Sequence, residues 1–155
     1  MIINPNWVSG FVDGEGTFYV GFNKQPEMVL GIQVLPEFRV VQHQRDIKLL
    51  HALKDFFKAG VVRRNHEDRY ELRIRNLQHL QEIIIPFFDQ YPLLTQKKFD
   101  FIKFKKIISI LTAGKIDKEK ILEMIEISSL MNRKNKVKTL QLKKEIMDKD
   151  MTLRP

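Results

Sequence analysis

The sequence predicts an α+β fold built on a mostly antiparallel, four-stranded sheet. Two pairs of segments alternate apolar and polar residues with the period of two that half-buried strands show, and a stretch with helical spacing separates the pairs. One helical segment precedes the first pair, and several follow the second. The chain has 155 residues, 43% hydrophobic and 30% charged, which suffices for one domain with a buried core. We therefore expect a single domain over residues 1–155.

The first helix is predicted over about residues 5–13. Asn4 is a favoured capping residue, and Pro5 suits the first helical turn. Gly14 and Gly16 give the backbone freedom to leave the helix. Glu15 is therefore expected just beyond the helix end.

The first two strands follow directly. In the first, apolar residues stand at every second position, at Phe18, Val20 and Phe22. The second repeats this alternation over residues 32–40. Pro36 within it indicates a sheet edge or a β-bulge, because proline has no N–H to donate.

A second helix is predicted over residues 49–57, where leucine and phenylalanine recur at helical spacing before Ala59 and Gly60. Strands three and four are predicted over residues 61–65 and 69–74, joined by a polar turn. Later helices are predicted from the same spacing over residues 77–87, from Thr95 to Ala113, over 117–131 and near 140–147.

The strand faces differ in chemistry. In the fourth strand Tyr70, Leu72 and Ile74 share the apolar face. The opposite face carries Arg69, Glu71, Arg73 and, near its end, Arg75, while Arg63 and Asn65 share a face of the third strand. Such a mixture of donors and acceptors suits base edges in a DNA major groove. The alternative from alternation alone is a solvated face, which antiparallel sheets commonly have.

The formal charge of +8 favours a polyanionic partner, and charge alone leaves DNA, RNA and an anionic membrane open. No apolar run approaches the roughly 18 residues that span a bilayer, and no signal peptide is recognised, so we expect an intracellular protein. Cysteine is absent, which excludes a disulfide scaffold and cysteine-ligated zinc. Serine-nucleophile chemistry lacks its Gly-x-Ser-x-Gly motif, and the four histidines lack metal-ligand spacing, with only His43 expected near the site.

One nine-residue segment, residues 8–16 with the sequence VSGFVDGEG, combines close-packing and acidic residues. Gly10 and Gly14 are four apart and share a helix face, where small residues let two helix backbones approach closely. The segment resembles the LAGLIDADG signature, with glycines at the third and ninth positions and acids at the sixth and eighth. Its eighth position is Glu15, where aspartate is commoner in the family.

The resemblance implies an αββαββα core with a DNA-binding saddle and additional C-terminal helices. It implies a homing endonuclease that cuts double-stranded DNA at a long, pseudo-palindromic site. Because the chain carries one motif, the resemblance further implies a homodimer. The expected dimer interface comprises Ser9, Gly10, Asp13 and Gly14. Glu15, with the Gly14 carbonyl, would bind Mg²⁺ or another divalent cation such as Mn²⁺.

Two further segments resemble parts of the family's active site. Residues 38–42 look like the strand that supplies a polar side chain, here Gln42, and residues 91–100 look like the segment that supplies a lysine. Lys97 is the expected lysine, with Lys98 as the alternative. Asp46 falls where some members carry a basic residue, so Lys48 and Arg45 are alternatives for that role.

The implied saddle would contact DNA through Tyr19, Asn23, Gln33, Glu37, Arg39, Arg63, Asn65, Arg69, Glu71 and Arg73. A basic segment with Arg133, Lys134 and Lys136 would hold phosphates, unless it is only a solvated loop. Two alternatives share the fold: a maturase that binds intron RNA, and a DNA-binding regulator that does not cleave. Organelle introns are the family's common home, so an organelle-encoded protein is expected.

Overall fold

The computed structural model describes the backbone of residues 1–132 and 136–152. The elements are α1 (Pro5–Glu15), β1 (Gly16–Lys24), β2 (Ile32–His43), α2 (Ile47–Phe57), β3 (Val61–His66), β4 (Arg69–Ile74), α3 (Leu77–His79), a π-helical segment (Leu80–Ile84), α4 (Ile85–Gln90), α5 (Lys97–Thr112), α6 (Lys118–Ser129) and α7 (Lys136–Thr152). The predicted α+β class and the order of helices and strands are confirmed.

The four strands lie in the order β1-β2-β4-β3, and every neighbouring pair is antiparallel. β2 pairs with β4 only from Phe38 onward, whereas it pairs with β1 over residues 32–40. Pro36, opposite Val20, therefore lies where β2 has a single neighbour. The predicted sheet edge at this proline is confirmed.

One face of the sheet packs on the helices through an aromatic cluster. Phe18 and Phe38 are opposite each other on β1 and β2, and their ring centroids are 5.4 Å apart. Phe88 of α4 and Phe104 of α5 pack on Phe18, with centroid distances of 5.6 and 5.2 Å. Burial of large aromatic side chains is a dominant stabilising term, so this cluster fixes the helices against β1 and β2.

Helix α1 extends to Glu15, two residues beyond the predicted end. Packing of the buried Val8 and Val12 against the core outweighs the modest helical cost of a glycine near the end. Gly16 then turns the chain into β1, and its N–H donates to the Val12 carbonyl. A Cβ at Gly16 would lie 2.5 Å from Val12 Cγ1, so only glycine fits this turn.

Helices α3 and α4 form one continuous rod through the π-helical segment. The Ile85 N–H bonds to the Leu80 carbonyl, five residues back, so the turn before Pro86 is wider than an α-helical one. In a regular helix the proline ring would clash with the carbonyl four residues earlier. The wider turn allows the helix to pass through a proline.

The C-terminal part of the chain contacts β1 through Asn132, which follows α6, and through Glu145 of α7. The Asn132 side chain donates a 2.7 Å hydrogen bond to the Phe18 carbonyl, and Lys24 lies 3.7 Å from Glu145 of α7. α7 begins at Lys136, earlier than the prediction near residue 140, because the polar residues before Leu140 show no apolar repeat. In the described part of the chain no helix is long and apolar enough to cross a membrane.

Candidate active site and nucleic-acid interface

Three side chains from distant parts of the chain meet at the C-terminal end of α1. Gln42 Nε2, at the end of β2, donates a 3.3 Å hydrogen bond to Glu15 Oε2. Lys97 Nζ, at the start of α5, donates a 2.9 Å hydrogen bond to the Val12 carbonyl oxygen. The structure therefore brings together the acid, the amide and the lysine that the sequence marked as candidates.

The two candidate lysines differ in their surroundings. Lys97 is half-buried, and burial lowers its pKa below the ordinary value, while the negative charges of Asp13 and Glu15 partly offset that effect. Lys98 is exposed, and its Nζ lies 5.1 Å from the ring centroid of Phe99. Lys97 is thus the lysine held against α1.

The segment before α5 is fixed to α1 by two side chains. Ser9 Oγ donates to the Tyr91 carbonyl at 2.8 Å. The Asp13 carboxylate accepts hydrogen bonds from the Leu94 N–H at 2.8 Å, from the Thr95 N–H and from the Thr95 hydroxyl. These contacts set the position from which Lys97 reaches α1.

The prediction that Ser9 and Asp13 line a dimer interface is corrected for Ser9 and stays a prediction for Asp13, which is only partly buried. Ser9 is buried, and both side chains are used within their own chain. The sequence offered a signal for Ser9, because it follows the buried Val8 and precedes Val12 by three positions. Burial of Asp13 would raise its pKa, but the hydrogen bonds from Thr95 and Leu94 bring it below the ordinary value.

Gly10 and Gly14 face away from the core of the chain. A Cβ added at either position would meet nothing within 4 Å. The same surface of α1 exposes Trp7, whose ring stacks on Phe11 with centroids 4.9 Å apart. An open strip of glycine backbone beside the exposed Trp7 leaves room for a second helix to approach.

The donors available for a metal ion in this region are oxygens. Glu15 supplies an exposed carboxylate, and Gly14 lies in the last turn of α1, whose carbonyls carry the negative end of the helix dipole. Oxygen donors fit a hard divalent cation such as Mg²⁺. Within the described residues no three His, Cys, Asp or Glu side chains cluster as metal ligands.

The residues considered for a basic supporting role lie in the turn after β2. Arg45 Nε is 3.6 Å from Asp46, and both side chains are largely exposed. His43 Nδ1 accepts a 3.1 Å hydrogen bond from the Arg45 N–H, so this histidine caps the turn. Lys48 follows in α2 as an exposed side chain.

The sheet face opposite the core carries the predicted polar residues. Strand register places Tyr19 opposite Glu37, Asn23 opposite Gln33 and Arg39 opposite Arg73. Arg63 is opposite Glu71, and Arg69 is opposite His43. This face therefore displays Tyr19, Asn23, Gln33, Arg39, Arg63, Arg69 and Arg73 as one surface, with Asn65 reaching the same network.

Glu37 and Glu71 were expected to contact DNA bases, and the structure corrects that expectation. Their residues are only 3% and 4% exposed. Glu37 pairs with Arg39 and Arg75, and Glu71 pairs with Arg63. Carboxylates covered by guanidinium groups cannot reach a base edge.

Arg75 is a site residue that the sequence interpretation left outside its DNA-contact set. Its Nε donates to Glu37 Oε2 at 2.7 Å from just beyond the end of β4. The sequence indicated its place, because Arg75 is two residues after Arg73 and so continues the alternation of the polar face. Of the predicted phosphate contacts, Arg133 and Lys134 lie outside the described residues, and Lys136 begins α7.

The chain matches the family model described as LAGLIDADG endonuclease over residues 8–108. It is 33% identical over 115 residues to "Probable intron-encoded endonuclease 2" of Neurospora crassa, covering 73% of this chain and 25% of that protein. It is 34% identical over 87 residues to "DNA endonuclease I-CeuI" of Chlamydomonas moewusii, covering 55% of this chain and 40% of that protein. The chain thus spans a quarter to two-fifths of these relatives.

Solved structures agree with this grouping. The homing endonuclease I-TnaI superposes with a TM-score of 0.90 at 48% identity, over 94% of this chain and 99% of that chain. I-SmaMI, a LAGLIDADG homing endonuclease bound to cleaved DNA, superposes with a TM-score of 0.82 at 31% identity, over 84% of this chain and 44% of that chain. The matched motif and the shared architecture show that this chain belongs to the LAGLIDADG endonuclease family.

Proposed function

We propose that the protein is a sequence-specific endonuclease that acts on double-stranded DNA as a homodimer and requires a divalent metal ion. The observation that carries the proposal is the convergence of Glu15, Gln42 and Lys97 at the end of α1. These residues lie beside a sheet face rich in arginine. A carboxylate, an amide and a cation at one edge of a basic surface suit phosphodiester hydrolysis.

The homodimer is supported by the open strip on α1. Gly10 and Gly14 have free space above them and would allow a second α1 to pack closely about a two-fold axis. The Glu15 carboxylates of the two subunits would then lie near each other, where their repulsion favours a bound cation. A symmetric dimer calls for a long, nearly palindromic DNA site.

The oxygen donors at the C-terminal ends of the two α1 helices would fit Mg²⁺ or Mn²⁺. Glu15 and the Gly14 carbonyl are the candidate ligands. When bound, a divalent cation would polarise the scissile phosphate and make a bound water more acidic. The protein's own side chains would position the reacting groups. Gln42 holds the Glu15 carboxylate through its amide and can orient a water for attack on phosphorus.

Lys97 would stabilise the transition state. As the P–O bond to the leaving oxygen breaks, negative charge grows on the phosphoryl oxygens, and a cation fixed beside them lowers the barrier. The half-buried amine is held by the Val12 carbonyl and stays close to Asp13 and Glu15, whose charges favour its protonated form. It therefore supplies positive charge at a fixed place.

DNA recognition is proposed for the polar sheet face. Arginine pairs with guanine, and asparagine or glutamine pairs with adenine, which matches the composition of this surface. Arg133, Lys134 and Lys136 remain candidates for phosphate contacts. Relatives are named as intron-encoded endonucleases, which supports an intron-encoded origin, and we propose an organelle genome as the host.

A selection from a randomised, palindrome-biased DNA library tests the proposal. We expect the protein to enrich one long site and to cut both strands with Mg²⁺, while Ca²⁺ supports binding alone. Enrichment without cleavage under any divalent metal would point to a non-cleaving regulator. Preference for a structured RNA over every DNA would point to a maturase.

A further inference from the structure

We propose that Glu37 and Glu71 are positioning residues that hold an array of four arginines in fixed register across the DNA-binding face. The arginines are Arg39, Arg63, Arg73 and Arg75. The inference rests on the proposed DNA binding. It deepens that proposal by stating which buried groups control sequence discrimination without touching a base.

Each oxygen of the Glu37 carboxylate serves a different arginine. Oε2 accepts a 2.7 Å hydrogen bond from Arg75 Nε, and Oε1 lies 3.4 Å from Arg39 Nη1. The Glu37 side chain is 5% exposed. Arg39 also lies over the Tyr19 ring, with its guanidinium carbon 5.6 Å from the centroid. Arg39 is thus held from two sides.

Glu71 repeats this arrangement on the neighbouring strands. Its Oε1 lies 3.5 Å from Arg63 Nε and 4.0 Å from Arg73 Nη1. Its Oε2 accepts a 2.7 Å hydrogen bond from Asn65 Nδ2. Among the described residues no buried side-chain nitrogen or oxygen lacks a hydrogen-bond partner. Each oxygen of both carboxylates therefore lies beside a donor or cation of the same chain.

The strand register explains why two buried acids are needed. Arg39 and Arg73 are directly opposite each other on β2 and β4, an arrangement of like charges that destabilises a sheet when nothing offsets it. Glu37 and Glu71 lie two residues from these arginines on the same face. The four arginines and two glutamates leave a net charge of +2 on this patch, which still attracts DNA.

The arrangement also leaves donors free for DNA. Arg63 and Arg75 engage their carboxylates through Nε, so their terminal amino groups remain available. Bidentate contact with guanine requires a guanidinium plane in one orientation. Arginines fixed before binding lose less side-chain entropy on binding, and they are less able to turn toward a phosphate.

Removal of a buried carboxylate should therefore raise the affinity for non-specific DNA and lower the discrimination between sites. Glu71→Gln keeps the side-chain shape, adds one positive charge and releases Arg63 and Arg73. Non-specific affinity should rise and its salt dependence should steepen by about one in log–log slope, because a released arginine can neutralise a phosphate. The ratio of specific to non-specific affinity should fall about tenfold or more.

The experiment combines arginine NMR in the free protein with DNA competition. In the wild type we expect a distinct Nε–Hε signal for Arg63, whose Nε lies 3.5 Å from Glu71 Oε1, and a slowly exchanging one for Arg75, whose Nε donates to Glu37. Glu71→Gln should lose the first and Glu37→Gln the second, with thermal unfolding confirming that each variant is folded. Glu123→Gln on the exposed face of α6 makes the same charge change and should leave both signals and the discrimination ratio unaltered.

Unchanged arginine signals in both variants would overturn the proposal. A discrimination ratio that stays at the wild-type value in both variants would also overturn it, because the released arginines would then not control sequence readout. If the wild type prefers no DNA site, the proposed function fails. The arginine signals would still decide whether Glu37 and Glu71 hold the array.

Discussion

Lys97 Nζ lies 2.9 Å from the carbonyl oxygen of Val12, although the two residues are 85 positions apart. The same carbonyl accepts the N–H of Gly16, where the chain turns from α1 into β1. The contact joins α5 to the helix end that carries Glu15. The negative end of the helix dipole favours a cation at this place.

Replacement of Lys97 by methionine should slow cleavage by about 10²–10³-fold, the usual loss when a group that stabilises transition-state charge is removed. Lys98→Met is the matched control because the neighbouring lysine lies over Phe99. Single-turnover cleavage of the selected site would compare them, and binding should change little in either variant. Equal losses in the two variants would contradict the assignment of Lys97.

Gln42 is expected to act through Glu15. Gln42→Leu removes the amide that donates to the Glu15 carboxylate, so cleavage should fall while DNA affinity is kept. Gln42→Glu should lose more activity than Gln42→Leu, because a second carboxylate would repel Glu15. Titration of cleavage against Mg²⁺ would test this order. The reverse order would show that the amide donor at residue 42 is not what matters.

Asp13 should stabilise the fold rather than the dimer. Asp13→Ala removes the acceptor of several hydrogen bonds from Leu94 and Thr95, and the free energy of unfolding should fall by about 1–2 kcal/mol. Urea denaturation at a fixed protein concentration would measure this loss. An unchanged free energy of unfolding would show that the segment before α5 is held by other contacts.

The same carboxylate should contribute to acid sensitivity. Its pKa in the folded protein is below the ordinary value of 3.8. A lowered carboxyl pKa stabilises the folded state above the unfolded pKa, and this contribution is lost as the pH falls through the folded pKa. Asp13→Asn should therefore flatten the stability profile below about pH 4. A profile parallel to that of the wild type would contradict this account.

Gly10 should matter to association and not to the single subunit. Gly10→Val adds a branched side chain where an added Cβ meets nothing within the chain, so the subunit should stay folded while the dimer dissociates. Sedimentation velocity would measure the mass, with circular dichroism as the fold control. Gly16→Ala is the contrasting variant, since its Cβ would clash with Val12 and destabilise the fold itself. A Gly10→Val protein that remains dimeric would place the interface elsewhere.

Much of this structure was predictable because its signals are local. The change of hydrophobic period marks β1 to β4, and alternation separates Leu72 from Arg73 correctly. Glu15, Gln42 and Lys97 were selected by resemblance around a nine-residue motif. Physical reasoning from each residue alone would have left Gln42 and Lys97 as ordinary surface groups.

What the sequence did not predict depends on contacts between distant segments. The residues around Glu37 do not indicate that its carboxylate binds Arg75, which follows the last residue of β4. The burial of Glu71 likewise depends on Arg63 across the strand pair. Alternation assigns a side chain to a face, but it does not show whether a neighbour covers that side chain.

The central claim is that Glu15 is the metal-binding carboxylate of a DNA-cleaving site. The most direct test compares wild type and Glu15→Gln on the selected DNA site with Mg²⁺, measuring cleavage and binding on the same samples. We predict that Glu15→Gln binds the site with affinity near that of wild type and makes no cut. Cleavage by Glu15→Gln at the wild-type rate would contradict the account, because hydrolysis would then proceed without this carboxylate.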